Sequence, residues 1–174
     1  MIVIRFFIIL FLPFFSIAQS DKILIESHLT KIQNAKTYAL AIANKLPAEK
    51  FDFRPVKEEM SFKEQLIHIV ENLYWLSSTY IGEQNNPLKD RKSNAAEMNK
   101  KDLITFLENS FDYSIKVISE LKEDTLQKEF AWNRQNLNKY QFLNLIQDHQ
   151  SHHVGQLIVY LRLNNIEPPK YIGW

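Results

Sequence analysis

Residues 138–163 read NKYQFLNLIQDHQSHHVGQLIVYLRL, a stretch with a start signal, a helical stripe and a cluster of histidines in one segment. Asn138 with Gln141 fits a capping pair, in which each side chain satisfies a backbone N–H left orphaned at a helix start. Phe142, Ile146, His149, His153, Leu157 and Tyr160 then follow a single face at helical spacing, and the pattern ends before Pro168-Pro169. The spacing predicts a helix to about Leu163, with His149 and His153 in positions where its neighbours place core side chains.

Three more helices are predicted upstream. The first runs from about Asp21 to Leu46, with Ile25, Leu29, Ile32, Ala39 and Ile42/Ala43 on one side, and Pro47 stops it. The second begins at Ser61, where Ser61-Phe62-Lys63-Glu64 fits a capping box, carries the stripe Phe62, Leu66, Ile69, Leu73, Leu76 and Tyr80, and closes at Gly82. The third spans about Lys101 to Leu121 on Ile104, Leu107, Phe111, Ile115, Ile118 and Leu121.

Between the helices, Pro47 to Met60 reads as a loop that lays Phe51 and Phe53 over the end of a bundle. Glu83 to Asn99 is polar, and its basic group Lys89, Arg91 and Lys92 reads as solvated loop rather than a phosphate site. Glu129 to Asn133 supports a short extended piece and no more. With no strand series and no internal repeat, the economical fold is all-α, a four-helix bundle with long first and second connections.

Composition limits the chemistry. A chain of 174 residues at 45% hydrophobic content supports one domain with a real core. Charge is balanced, 21 Lys+Arg against 20 Asp+Glu, which argues against nucleic acid as a partner. Cysteine is absent, so disulfides, thiolate metal sites and a cysteine nucleophile are excluded and any metal must be held by His, Asp or Glu.

The first residues differ from the rest. Met1 to Ala18 holds one charge, Arg5, then an apolar run from Phe6 to Ile17 and the small residues of a cleavage site before Gln19. This predicts a signal peptide over 1–18, a folded domain over 19–174, and a periplasmic or secreted protein without stable membrane insertion once the leader is cut. An uncleaved anchor is the alternative, but the apolar run is shorter than the roughly 20 residues a spanning helix needs and contains Pro13.

The histidines carry the chemistry. Positions four apart stack on one helix face, so His149 and His153 can present two imidazoles to one ion, and His68, in the middle of the second helix, is the available third ligand. Three imidazoles from two helices would leave positions open, as in a catalytic rather than a closed structural site. The other reading is a pair of histidines hydrogen-bonded to carbonyls or to Asp148. His152 points to a neighbouring face and is structural or supporting, with an i, i+3 relation to His149 keeping ligation open; His28 is expected on the surface. Glu71, one turn beyond His68, is a base, a fourth ligand or an exposed salt-bridge partner. Trp75, Trp132 and Tyr160 are candidates to line a pocket, although aromatics at this spacing usually serve the core.

The segment His149 to Leu157 resembles the HxxHHxGQ signature on the last long helix of the DinB/YfiT-like superfamily, with Tyr160-Leu161-Arg162 and Pro168-Pro169 following. Leu46 to Pro55 is similar to the family's segment between its first two helices, and Ser61-Phe62 through His68-Ile69 to the helix with its first metal-binding histidine. The resemblance spans about Ile23 to Trp174. It implies a four-helix bundle, often a homodimer, holding a divalent ion on His68, His149 and His153. Where the family often has arginine after the double histidine, this chain has Val154. Gly155 and Gln156 fit the signature, the glycine allowing close helix approach and the glutamine a hydrogen bond near the ligands.

Similar proteins include thiol-dependent transferases and isomerases; a three-histidine ion with an open position could equally activate water. The expectation is an exported metal-dependent enzyme, hydrolase or thiol-dependent transferase in type, acting on a small-molecule substrate, with a non-catalytic metal- or ligand-binding scaffold as the alternative. Imidazole ligands suit zinc, nickel, iron and copper alike, so the metal is left as Zn, Ni or Fe.

Overall fold

The computed structural model describes residues 15–89 and 97–174, with side chains from Asp21 onward. Most of the predicted leader, and Arg91 and Lys92 of the basic group, lie outside the described residues. Phe15 to Ala18, the leader's last residues, form the first turn of helix α1 (Phe15–Lys45). Helices α2 (Phe62–Leu76), α3 (Lys100–Ser119) and α4 (Lys139–Leu163) complete a bundle close to the predicted one. Among the described residues no helix is long and apolar enough to cross a membrane.

Both predicted caps are present. Ser61 Oγ accepts from Glu64 N at 3.2 Å while Glu64 Oε2 accepts from Ser61 N at 2.6 Å. Asn138 and Gln141 make the same exchange at the start of α4, at 2.9 Å in each direction. Arg54 adds to the first cap, donating to Glu64 Oε2 at 3.0 Å and to the Glu59 carbonyl at 3.2 Å, which ties the aromatic loop to the helix start. In that loop a single 3-10 turn, Ala48–Lys50, delivers Phe51 into the core against Phe62.

Helices α1 and α2 each pack against both α3 and α4, so α1 stands diagonally across the bundle from α2, and α3 from α4. A diagonal step crosses the end of the bundle and needs more chain than a step to a neighbour. The long connection 46–61 follows from this, and so does 120–138 between α3 and α4, whereas the sequence predicts length only in the first and second connections. That connection holds a 3-10 turn, Glu123–Thr125, and a β-hairpin. Strand β1 (Glu129–Trp132) pairs antiparallel with β2 (Gln135–Asn138), Trp132 opposite Gln135, around the two-residue turn Asn133-Arg134. Asn133 takes the left-handed conformation that such a turn demands, at φ 52. The single extended piece expected from Glu129 to Asn133 is therefore half of a hairpin.

The core runs along the bundle axis on the predicted stripes. Ile32, Ala39 and Ile42 of α1, Leu66, Ile69 and Leu73 of α2, Leu107 and Phe111 of α3, and Phe142 and Leu157 of α4 are all buried. Full burial of each Phe or Leu contributes about 1.5–3 kcal/mol relative to exposure. Two expectations fail here. A side chain at Gly155 would meet nothing within 4 Å, so this glycine mediates no helix approach; it is exposed beside a cavity of about 260 Å3 under the C-terminal tail. His28 is not on the surface but half-buried, its ring edge-on to Tyr140 at 6.1 Å, because α1 turns it toward α4.

The second helix does not end as an ordinary α-helix. After Leu76 it widens into a π-turn, Ser77–Ile81, in which Gly82 N donates to the Ser77 carbonyl five residues back at 2.9 Å. Buried Ser78 donates to the Tyr74 carbonyl at 2.6 Å, and buried Ser77 shares a 2.6 Å hydrogen bond with Ser114 of α3. At the far end Lys139, only 4% exposed, donates to the Ile81 carbonyl at 2.8 Å and to Glu83 Oε1 at 2.9 Å. Glu83 is also paired with Lys128, and these two ammonium groups hold its carboxyl below the usual range. The π-turn is thus fastened to α3 and to the first turn of α4.

Candidate metal centre

Histidines His68, His149 and His153 converge where α2 faces α4. His149 Nε2 lies 3.2 Å from His68 Nε2 and 3.2 Å from His153 Nε2. All three residues offer donor nitrogens within 4.8 Å of one another, and no carboxylate joins this group among the described residues. His153 is buried at 5% exposure, while His68 and His149 are half-buried toward the surface.

A hydrogen-bonded chain fixes which nitrogen of His153 faces the cluster. The Met60 carbonyl can only accept, so Tyr160 Oη donates to it, at 2.8 Å. Tyr160 Oη then accepts from Gln65 Nε2 at 3.4 Å, which turns Gln65 Oε1 toward His153 Nδ1 at 2.5 Å. A carboxamide oxygen requires a donor, so Nδ1 carries the proton and Nε2 presents its lone pair to the other two rings. This is how a metal-binding histidine is oriented by a partner behind it. Gln65 was not singled out by sequence; its place one turn before His68 on the buried side of α2 is the signal that could have found it. The role anticipated for Gln156 is filled by Gln65.

The donor set fits a divalent ion. With metal–nitrogen bonds of about 2.0–2.1 Å, tetrahedral imidazole nitrogens stand about 3.3 Å apart, close to the two 3.2 Å separations. Burial lowers the pKa of His149 to about 4, the neighbouring His68 and His152 adding to the effect. Burial does the same for His153, also to about 4, with His149, His68 and His152 contributing. Both rings are therefore neutral at neutral pH, the form that coordinates metal. Asp148 is exposed and takes no part in the hydrogen bonds of the pair.

His152 is exposed, its ring edge-on to His153 at 4.9 Å, and supplies no nitrogen to the cluster. Glu71 is exposed and likewise outside it. Of the three aromatics proposed as pocket lining, Trp75 and Trp132 border a cavity of about 330 Å3 that reaches His149, with Asn72, Leu76, Tyr80, Ala131, Asn133 and Leu145. Tyr160 is wholly buried and serves the hydrogen-bonded chain instead.

The four-helix bundle defines a class of fold, and comparison with known proteins places the chain in a family of that class. Residues 20–171 match the model of the DinB family, and the chain belongs to that family. It is 23% identical over 158 residues to the uncharacterized protein YjoA of Bacillus subtilis, covering 88% of this chain and 96% of that protein. The crystal structure of that DinB-like protein superposes with a TM-score of 0.66 at 20% identity, over 84% of this chain and 98% of the other. A DinB-like protein from Bacillus cereus superposes with a TM-score of 0.70 at 17% identity, over 84% of this chain and 96% of the other.

Proposed function

We propose that this DinB family protein holds a divalent metal ion on His68, His149 and His153 and acts as a metal-dependent enzyme on a small molecule. The observation that carries the proposal is the approach of three Nε2-bearing rings from two helices, one with its tautomer set by Gln65. Three imidazoles leave at least one position open on a tetrahedral ion, and the aromatic cavity reaches one of the three, His149. A bound ion would supply a Lewis acid for water or for a thiol. The chain's own residues orient the ligands, Gln65 behind His153, and place Trp75, Tyr80 and Trp132 beside His149.

Within this proposal the reaction is of hydrolase or thiol-dependent transferase type. Metal-loaded protein assayed against esters, amides and thiol-plus-electrophile pairs tests it: turnover that disappears in His68→Ala supports the enzyme, and no turnover on any class contradicts it. A non-catalytic metal- or ligand-binding role is the second reading. It is favoured by a cavity lining that contains no carboxylate and no lysine to move a proton. Export with removal of residues 1–18, and a homodimer in solution, belong to the same proposal. N-terminal sequencing of protein recovered from the periplasm or medium and light scattering of the purified chain address them.

A further inference from the structure

The wall of the cavity beside His149 is built by two devices that neither the histidine motif nor the bundle requires. The first is the π-turn. In an α-helix the residue stacked over Trp75 would be Thr79, four positions on; the π-turn widens the ring to five, and Tyr80 stands there instead, its ring centroid 5.9 Å from that of Trp75. The second is the hairpin, whose β1 carries Trp132 down onto the same place, 5.4 Å from Trp75 and 5.5 Å from Tyr80. Tyr80 is held from behind by Phe142, stacked at 4.0 Å with planes 8° apart.

Three aromatic rings from two separate stretches of chain, the end of the second helix and the hairpin, thus line one opening of about 330 Å3, within the size range of small-molecule sites. Trp75 is 38% exposed, a large apolar surface left at the mouth. The polar groups in the lining, Asn72 and Asn133, are uncharged carboxamides, and His149 forms the inner corner. Ring faces attract flat π-systems, and a wall without an ionised side chain penalises a charged ligand body.

We propose that this cavity binds an uncharged, planar aromatic small molecule, held on Trp75, Tyr80 and Trp132 with its functional group directed toward His149. This names the substrate class of the site and rests on the metal-dependent reading only for the chemistry at His149, since the aromatic wall exists without an ion.

Calorimetric titration of the full chain, metal-free and zinc-loaded, with β-naphthol, its saturated analogue decahydro-β-naphthol and β-naphthalenesulfonate tests the inference. In the metal-free protein β-naphthol is expected to bind at least tenfold tighter than either of the others. Trp75→Ala and Trp132→Ala are each expected to weaken it by roughly tenfold. Trp75 is partly exposed, so its variant keeps the test valid should removal of Trp132 disturb the hairpin. Equal affinity for the flat and saturated compounds, or binding indifferent to both variants, overturns the inference. Zinc uptake without β-naphthol binding refutes the aromatic site and leaves the metal reading standing; β-naphthol binding without zinc uptake does the reverse.

Discussion

Gln65 stands between Tyr160 and His153, its Oε1 accepting from His153 Nδ1 at 2.5 Å and its Nε2 reaching Tyr160 Oη at 3.4 Å. Through it, a backbone carbonyl at the loop before α2 sets the tautomer of a histidine on α4. Gln65→Leu keeps most of the side-chain volume and removes the acceptor. The expected result is a fold preserved by circular dichroism and zinc affinity lower by about 10–100-fold in chelator competition. Unchanged affinity would mean that the orientation of His153 does not depend on Gln65.

Tyr160→Phe removes one hydroxyl from a wholly buried position and leaves the Met60 carbonyl without the donor it has here. Stability should fall by about 1–3 kcal/mol, read by urea unfolding of the metal-free protein. Zinc affinity should fall less than in Gln65→Leu, because Gln65 Oε1 remains to accept from His153.

The capping box at Ser61 gives a pH dependence with a defined sign. The backbone N–H of Ser61, chiefly, and also the Ser61 hydroxyl and Arg54, hold the Glu64 carboxyl below its ordinary range despite some desolvation. A carboxyl depressed in the folded state adds stability above its unfolded pKa, and that stability is lost as pH falls through the folded value. Glu64→Gln keeps a residue able to close the box and discards the charge. Wild type should therefore exceed the variant at pH 7, the difference shrinking once pH falls below the ordinary glutamate value of about 4.3 and vanishing only below the depressed folded value. Because Glu64 is 48% exposed, screening limits the difference at neutral pH to about 1 kcal/mol or less.

Lys139 is the buried clamp at the end of the π-turn. Lys139→Met retains the stem and strips the Ile81 carbonyl and Glu83 of a donor. The expected loss is about 1–3 kcal/mol, which for a domain of this size lowers the melting temperature by about 2–4 °C per kcal/mol. The loosened turn should also change the near-ultraviolet dichroism of the Trp75, Tyr80 and Trp132 group, which a purely local surface change would leave alone.

What could be read from sequence, and what could not, follows from the range of the interactions. Caps and helical stripes act within a few residues, so Ser61 with Glu64, Asn138 with Gln141 and the stripe through His149 and His153 are legible in the local sequence. His68 required only that one histidine sit on an inward flank of another helix. The π-turn was invisible, because Leu73, Leu76 and Tyr80 keep ordinary helical spacing through it and the widening is held by Lys139, 58 residues away from Ile81. Strand β2 was missed for a related reason: Gln135-Asn136-Leu137-Asn138 is polar and gains its extended form from pairing with β1. Gln65 reads as an ordinary helix residue until α4 brings His153 against it.

The central claim is that His68, His149 and His153 hold one divalent ion. Elemental analysis of protein purified without an affinity tag under metal-replete conditions, for wild type and for His68→Ala, His149→Ala and His153→Ala, tests it most directly. About one equivalent of zinc, nickel or iron per wild-type chain, lost in each folded variant, is the predicted result. No metal in the wild type, or the same content in all four proteins, would contradict it.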